Sequence, residues 1–139
     1  MELFKKGLAL KSSYRFAKTN LGSIYTKYGD FERGVSFLED AYGATRLDQS
    51  RGNAEALAIV NNYGVASLGV GENDKAKMIF EKIASSGVRN PIPLLNYAII
   101  LVEVLKQKKD AARIISKLKF MSNDREILRK VQELEKKLE

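Results

Sequence analysis

The amino-acid sequence predicts an all-α fold of stacked helix hairpins. Three observations carry this. Apolar residues recur at three- and four-residue spacing along most of the chain, and no run alternates as a half-buried strand would. Polar turns bearing glycine, Gly29-Asp30 and Gly69 to Asn73, interrupt that helical period. Small residues at one register, Gly22, Gly64 and Ala98, return at steps of 42 and 34 residues, the spacing of a helical repeat. Pro91 and Pro93 are the only prolines, which suits long helices.

Met1 to Lys11, with Leu3, Phe4, Leu8 and Leu10, reads as a short helix of its own. Tyr14 to Tyr28 follows as the first helix of the organising hairpin, with Phe16, Leu21, Ile24, Tyr25 and Tyr28 as bulky apolar positions. Gly29-Asp30 ends it, and Asp30 is placed to accept the unpaired N–H groups that open the next helix. That helix, Phe31 to Leu47, carries Val35, Leu38, Ala41 and Tyr42 in its apolar stripe. DQSRGN, residues 48–53, is a polar connector. Ala54 to Leu68 carries Leu57, Val60, Tyr63 and Val65; after the turn, Asn73 or Asp74 is expected to cap Lys75 to Ala84. Pro91 suits a first helical turn, where its missing N–H costs nothing. Leu94 to Lys106, Ala111 to Phe120 and a charged last helix, Asp124 to Leu138, bring the expected number to eight.

The register runs deeper than the three small residues. Seven positions on from Gly22 and Gly64 come the turn glycines Gly29 and Gly71. Twelve on come Gly34 and Ala76, and in the third copy this position slips by one to Ala111. Four further come Leu38, Phe80 and Ile115. Small residues let two antiparallel helices approach closely, and the large residue fills the groove toward the next hairpin. One hairpin cannot bury its own apolar face, so copies must stack. The 42-residue step carries eight extra residues, placed at the end of Phe31–Leu47 and in DQSRGN.

LGSIYTKYGDFERGVSFLEDA resembles a tetratricopeptide repeat, and so does YGVASLGVGENDKAKMIFEKI; NYAIILVEVLKQKKDAARIISKL resembles a degenerate third copy that lacks the turn glycine. The resemblance covers residues 15–120, and 34 residues is the family's period. It implies a right-handed α-solenoid with repeats at 15–48, 54–88 and 91–122, and a cap at 124–138. Stepping the register back by 34 sets Phe4 where Leu38 sits and Gly7 where Ala41 sits, so residues 1–12 read as half of a preceding repeat and the chain as a piece of a longer array. VRNPIPLLNYAIILVEVLKQKKDAARI is further similar to late repeats of the tetratricopeptide subunit of the ciliary BBSome, which implies a role in ciliary trafficking. AIVNNYGVASLGVGENDKAKMIFEKI is similar to bacterial pilus-assembly repeat proteins.

What the family implies for function is a non-enzymatic scaffold or assembly subunit that takes a peptide or helix in the concave groove lined by the first helix of each hairpin. The candidate groove residues are Thr19, Ser23 and Lys27 from the first copy, with Phe16 and Thr26 beside them. Asn61, Asn62 and Val65 come from the second, with Ala58 and Leu68. Leu95, Ile99 and Val102 come from the third, with Ile92 and Glu103. Lys27 with Asn61 or Asn62 suits a peptide backbone or an acidic side chain, and Ile99 with Val102 suits an apolar anchor. A second reading stands beside the last: Ile92, Ile99 and Val102 pack on the capping helix or the next hairpin. Some family members clamp a C-terminal carboxylate with Lys, Asn and Arg. The matching positions here are Thr19, Ser23, Asn62, Ile92 and Tyr97, of which only Asn62 fits, so a chaperone-tail clamp is not expected.

Chemistry other than binding finds little support. The chain has no cysteine, which excludes disulfides and thiolate metal sites, and no histidine, the commonest general base and metal ligand. Glu39 and Asp40 are adjacent carboxylates, but helix neighbours point apart. Gly69-Val70-Gly71 follows a helix and lacks the Lys-Ser/Thr of a phosphate loop. No cofactor, metal or catalytic constellation is expected. The longest strongly apolar run, Tyr97 to Val102, is six residues, far short of a membrane span, and no signal peptide is visible, so a soluble intracellular protein is expected.

The net charge is +7, unevenly spread. Residues 1–28 hold six Lys or Arg against one acid, residues 29–105 seven against ten, and residues 106–139 eleven against six. The alternative to a protein scaffold is a nucleic-acid-binding helical repeat using these basic ends. It requires a basic stripe interleaved with aromatics, which neither end displays.

Overall fold

A computed structural model describes residues 2–47, 54–87 and 89–139, with the side chains of residue 14 and of those from 16 onward. Among the described residues there are seven helices and no strand: α1 (Glu2–Lys27), α2 (Phe31–Ala44), α3 (Ala54–Gly69), α4 (Asn73–Ser85), α5 (Pro91–Glu103), α6 (Lys108–Met121) and α7 (Arg125–Leu138). The chain divides into two compact units, Met1–Ile79 and Phe80–Glu139. The connector Asp48–Asn53 lies outside the described residues.

The first unit is built on the α1–α2 hairpin. The expected break between Lys11 and Tyr14 is absent, and Glu2–Lys27 is one helix of 26 residues. The reason is local: Ser12-Ser13 offers neither proline nor a left-handed glycine, and serine costs a helix interior only about half a kcal/mol. The helix ends where expected. Gly29 takes φ +87°, its N–H donates to Thr26 O (3.1 Å), and the Asp30 N–H donates to Tyr25 O (2.8 Å), the paired bonds of a glycine-terminated helix. Asp30 then caps α2, its Oδ1 accepting the Arg33 N–H at 3.3 Å. The same device recurs at Gly71 (φ +89°), where Glu72 N–H donates to Ser67 O (2.9 Å). Here the cap differs from expectation. Helix α4 begins at Asn73 itself, and the Glu72 carbonyl accepts the Ala76 N–H (2.9 Å), so Glu72 holds the cap position rather than Asn73 or Asp74.

Close approach explains the glycines inside the hairpin. A Cβ on Gly22 would stand 2.7 Å from Leu38 Cγ, and one on Gly34 would stand 2.2 Å from Thr26 Oγ1. Leu38 beneath them is fully buried. Tyr25 stacks on Phe37 at 5.5 Å, and Tyr42 of α2 stacks on the buried Tyr63 of α3 at 4.5 Å. Lys75 Nζ lies 5.0 Å over the Tyr63 ring, and its hydrogen bond to that phenol holds the ammonium above the usual lysine range.

Four bulky positions of α1, Phe16, Leu21, Ile24 and Tyr28, are exposed, while Gly22 and Thr26 make its buried face and Tyr25 stacks on α2. Because small residues set the α1–α2 distance, the bulky ones are left on the far side.

The second unit packs α5 against α6, and α7 against both. Asn90 caps α5 by accepting the Ile92 N–H (3.0 Å), with Pro91 in the first turn. Helix α5 stops at Glu103, three residues before the expected Lys106, which instead takes the left-handed conformation at φ 55°. This is the position of the missing turn glycine, displaced by one residue, and the displacement carries Ala111 into the buried small-residue position and Ile115 into the buried large one. Asp124 Oδ1 accepts the N–H groups of Glu126 (2.9 Å) and Ile127 (3.3 Å), opening α7. Ile127, Val131 and Leu134 are buried. Lys137 of α7 pairs with Glu103 of α5 and holds that carboxyl below its usual range.

Candidate partner-binding site

Four of the residues expected in the groove come together in the first unit. Ser23 and Lys27 of α1 face Asn62 and Val65 of α3 across an open cleft of about 500 Å³, with Ile24 and Phe31 completing its walls. Asn62 Nδ2 donates to Ser23 Oγ at 3.2 Å, which ties the amide of α3 to α1. Lys27 is exposed at the rim and is the one charged residue of the lining. Thr26 also borders the cleft, but it is 5% exposed and its hydroxyl donates to Gly22 O (2.8 Å), so it contributes wall rather than a hydrogen bond.

Thr19 and Asn61 stand outside this lining. Thr19 is half-buried on α1. Asn61 is half-buried on α3, with a buried Oδ1 that has no partner among the described residues.

Phe31 and Ile24 were not expected here. Phe31, the first residue of α2, lies against Gly69: a Cβ on that glycine would be 2.1 Å from the ring. The signal was in the sequence, since a turn of three residues after Lys27 returns the start of α2 to the end of α1. What periodicity could not supply was the glycine in α3 that makes room for the ring.

The third-copy candidates lie in the other unit. Leu95 (4% exposed) and Val102 (9%) belong to its core, and Ile99 (36%) is the member left at the surface, with Ile92 beside it at 50%. Of the two readings offered for Ile92, Ile99 and Val102, burial within the unit describes Val102, and surface exposure describes Ile92 and Ile99; Leu95, a groove candidate, is buried.

The second unit has a cleft of its own, of about 520 Å³, between the end of α4 and α6. Arg89, Arg113 and Lys117 border it, over Leu94 and Met121, with Phe120 standing almost fully exposed. Two of these cations are engaged. Arg113 pairs with Glu81 and lies 3.7 Å from Asp110, and Lys117 Nζ donates to Ala84 O at 2.7 Å. Glu81 also accepts the Tyr97 hydroxyl (2.7 Å), and burial together with that bond pushes the Tyr97 phenol far above its usual range.

Among the described residues no cluster of carboxylates could hold a metal ion, and no helix is long and apolar enough to cross a membrane. No protein-family model matches the chain, and no curated protein or solved structure is similar enough to be set beside it.

Proposed function

We propose that the chain is a non-enzymatic protein-interaction module of tetratricopeptide type, and that its first unit holds an extended partner peptide in the cleft between α1, α2 and α3. The observation that carries this is the assembly of Ser23, Lys27, Asn62 and Val65 around one opening. The cleft's chemistry suits a peptide. An amide offers paired recognition of a backbone, an ammonium suits a carboxylate, and apolar walls from Ile24, Phe31 and Val65 suit one aliphatic or aromatic side chain. The repeat type is supported by the glycine-terminated helices at Gly29 and Gly71, the close approaches at Gly22 and Gly34, and the burial of Leu38, Phe80 and Ile115 at one register.

The test is selection of displayed peptides on the whole chain, followed by fluorescence anisotropy with a selected peptide. Lys27→Glu and Asn62→Ala should each weaken binding about tenfold, the cost of losing one charge-assisted or bidentate contact. Both side chains lie at the surface or partly so, and the circular dichroism spectrum should not change. A selection that returns no peptide, or peptides whose affinity survives both substitutions, rejects the cleft.

A further inference from the structure

The bulky side chains that α1 turns outward have a regular order. From Leu3 the small or apolar residues fall at Gly7, Leu10, Tyr14, Ala17, Leu21, Ile24 and Tyr28, alternating steps of four and three without interruption. That is the 3.5-residue repeat of a coiled-coil seam, sustained along a single helix of 26 residues. Where side chains are described, the seam is open: Tyr14 is 68% exposed, Leu21 42%, Ile24 50% and Tyr28 79%. A contiguous row of this kind on a helix surface is a docking face rather than a scatter of lone apolar residues.

The internal register says what kind of element covers such a face. Leu21 stands 42 residues before Tyr63 and 76 before Tyr97, and both tyrosines are 1% exposed. Each is covered by an aromatic on the helix that precedes it, Tyr63 by Tyr42 of α2 at 4.5 Å and Tyr97 by Phe80 of α4 at 5.4 Å. The equivalent face of α1 is exposed among the described residues, and the element that fits it by the same packing is an α-helix.

Charge selects among helices. The positions flanking the seam are Lys11, Lys18 and Tyr25 along one edge and Lys6, Ser13, Asn20 and Lys27 along the other, with no acid in either row. Flanking charges decide which helices pair. A second copy of α1 would bring lysine rows together in either orientation, whereas acidic flanks on the incoming helix would neutralise them. Lys18 already accepts such a partner from within the unit, Asp40 at 3.3 Å. We infer that α1 is a docking helix for a partner protein, which lays an amphipathic helix with leucine or isoleucine at seam positions and glutamate at flanking positions along the Tyr14–Tyr28 face.

The experiment uses the full chain and two synthetic four-heptad helices, identical in their Leu/Ile seam, one with Glu and one with Lys at the flanking positions. Sedimentation should show the chain alone as a monomer. Isothermal titration should show one-to-one binding of the Glu helix, weakening as salt is raised, and no binding of the Lys helix. The double variant Tyr14→Ser/Leu21→Ser should lose about tenfold or more in affinity, as removal of two seam anchors does. Both side chains are exposed, and Tyr28→Ser, beyond the end of the helix, serves as a second variant should the first lose helicity. Ile24 and Lys27 border both this face and the cleft of the first unit and are left unaltered; Asn62→Ala, which belongs to the cleft alone, should leave the titration unchanged, so the two readings fail or stand separately. The inference is overturned if the chain is a dimer that Tyr14→Ser/Leu21→Ser dissociates, if neither peptide binds, if the two bind equally, or if the seam variants bind as the unaltered chain does.

Discussion

Tyr97 does three things at once in the second unit. It fills a core position at 1% exposure, stacks on Phe80, and donates its hydroxyl to Glu81, which also pairs with Arg113. Burial disfavours its phenolate, so its pKa in the fold lies above the ordinary tyrosine value of 10.0. The group is therefore neutral and stabilising below about pH 10, and the fold loses that contribution as pH rises beyond the unfolded value. Lys75, also held above its ordinary value, loses its contact with Tyr63 over the same alkaline range. Stability should thus be flat through neutral pH and fall above about pH 10. Tyr97→Phe keeps the ring and removes the titration. Its urea midpoint should correspond to a loss of about 1 kcal/mol at pH 8, the worth of one hydrogen bond, and its alkaline decline should be shallower than that of the parent. Equal declines in the two proteins would remove Tyr97 from this account. Its burial was legible from the repeat register; the Glu81 partnership was not, because it joins two helices and no periodicity reports it.

Among the elements, the turns were the most legible and the faces the least. Glycine followed by a polar residue marks a left-handed helix end by local chemistry alone, and Gly29 and Gly71 do as expected. The bulky apolar positions Phe16, Leu21, Ile24 and Tyr28 of α1 are exposed. Periodicity shows that a helix has an apolar face, but which neighbour covers that face is a property of the assembly. The third turn sharpens the point. Its sequence lacks glycine, and Lys106 adopts φ 55° in its place. A side chain in that conformation costs about 1–2 kcal/mol, while glycine returns part of this as entropy in the unfolded chain, about 0.5–1 kcal/mol. Lys106→Gly should therefore raise stability by about 0.5–1 kcal/mol, read as an increased urea midpoint with an unchanged slope. A destabilised variant would mean that the lysine side chain repays its strain through a contact.

At the scale of the whole molecule, the repeat register located residues that the structure buries within each unit, Leu38 in one and Ile115 in the other. The distribution of charge was legible too, but its consequence needed side-chain geometry. The basic ends suggested nucleic acid. Across both units, described cations are instead engaged by acids: Lys18 by Asp40, Arg113 by Glu81, Lys119 by Glu135 and Lys137 by Glu103. A cation that must leave an acid to reach a phosphate gains less from the exchange than a free one does. What remains is counterion release from the net charge of +7, a term that falls steeply with salt and reads no sequence. Anisotropy with a labelled duplex should therefore detect binding at about 20 mM salt and lose it by about 150 mM, where charges more than about 8 Å apart are screened. Binding that persists at the higher salt, or that distinguishes one sequence from another, would move the basic ends from solvated helix faces to a nucleic-acid surface and would displace the protein-binding assignment.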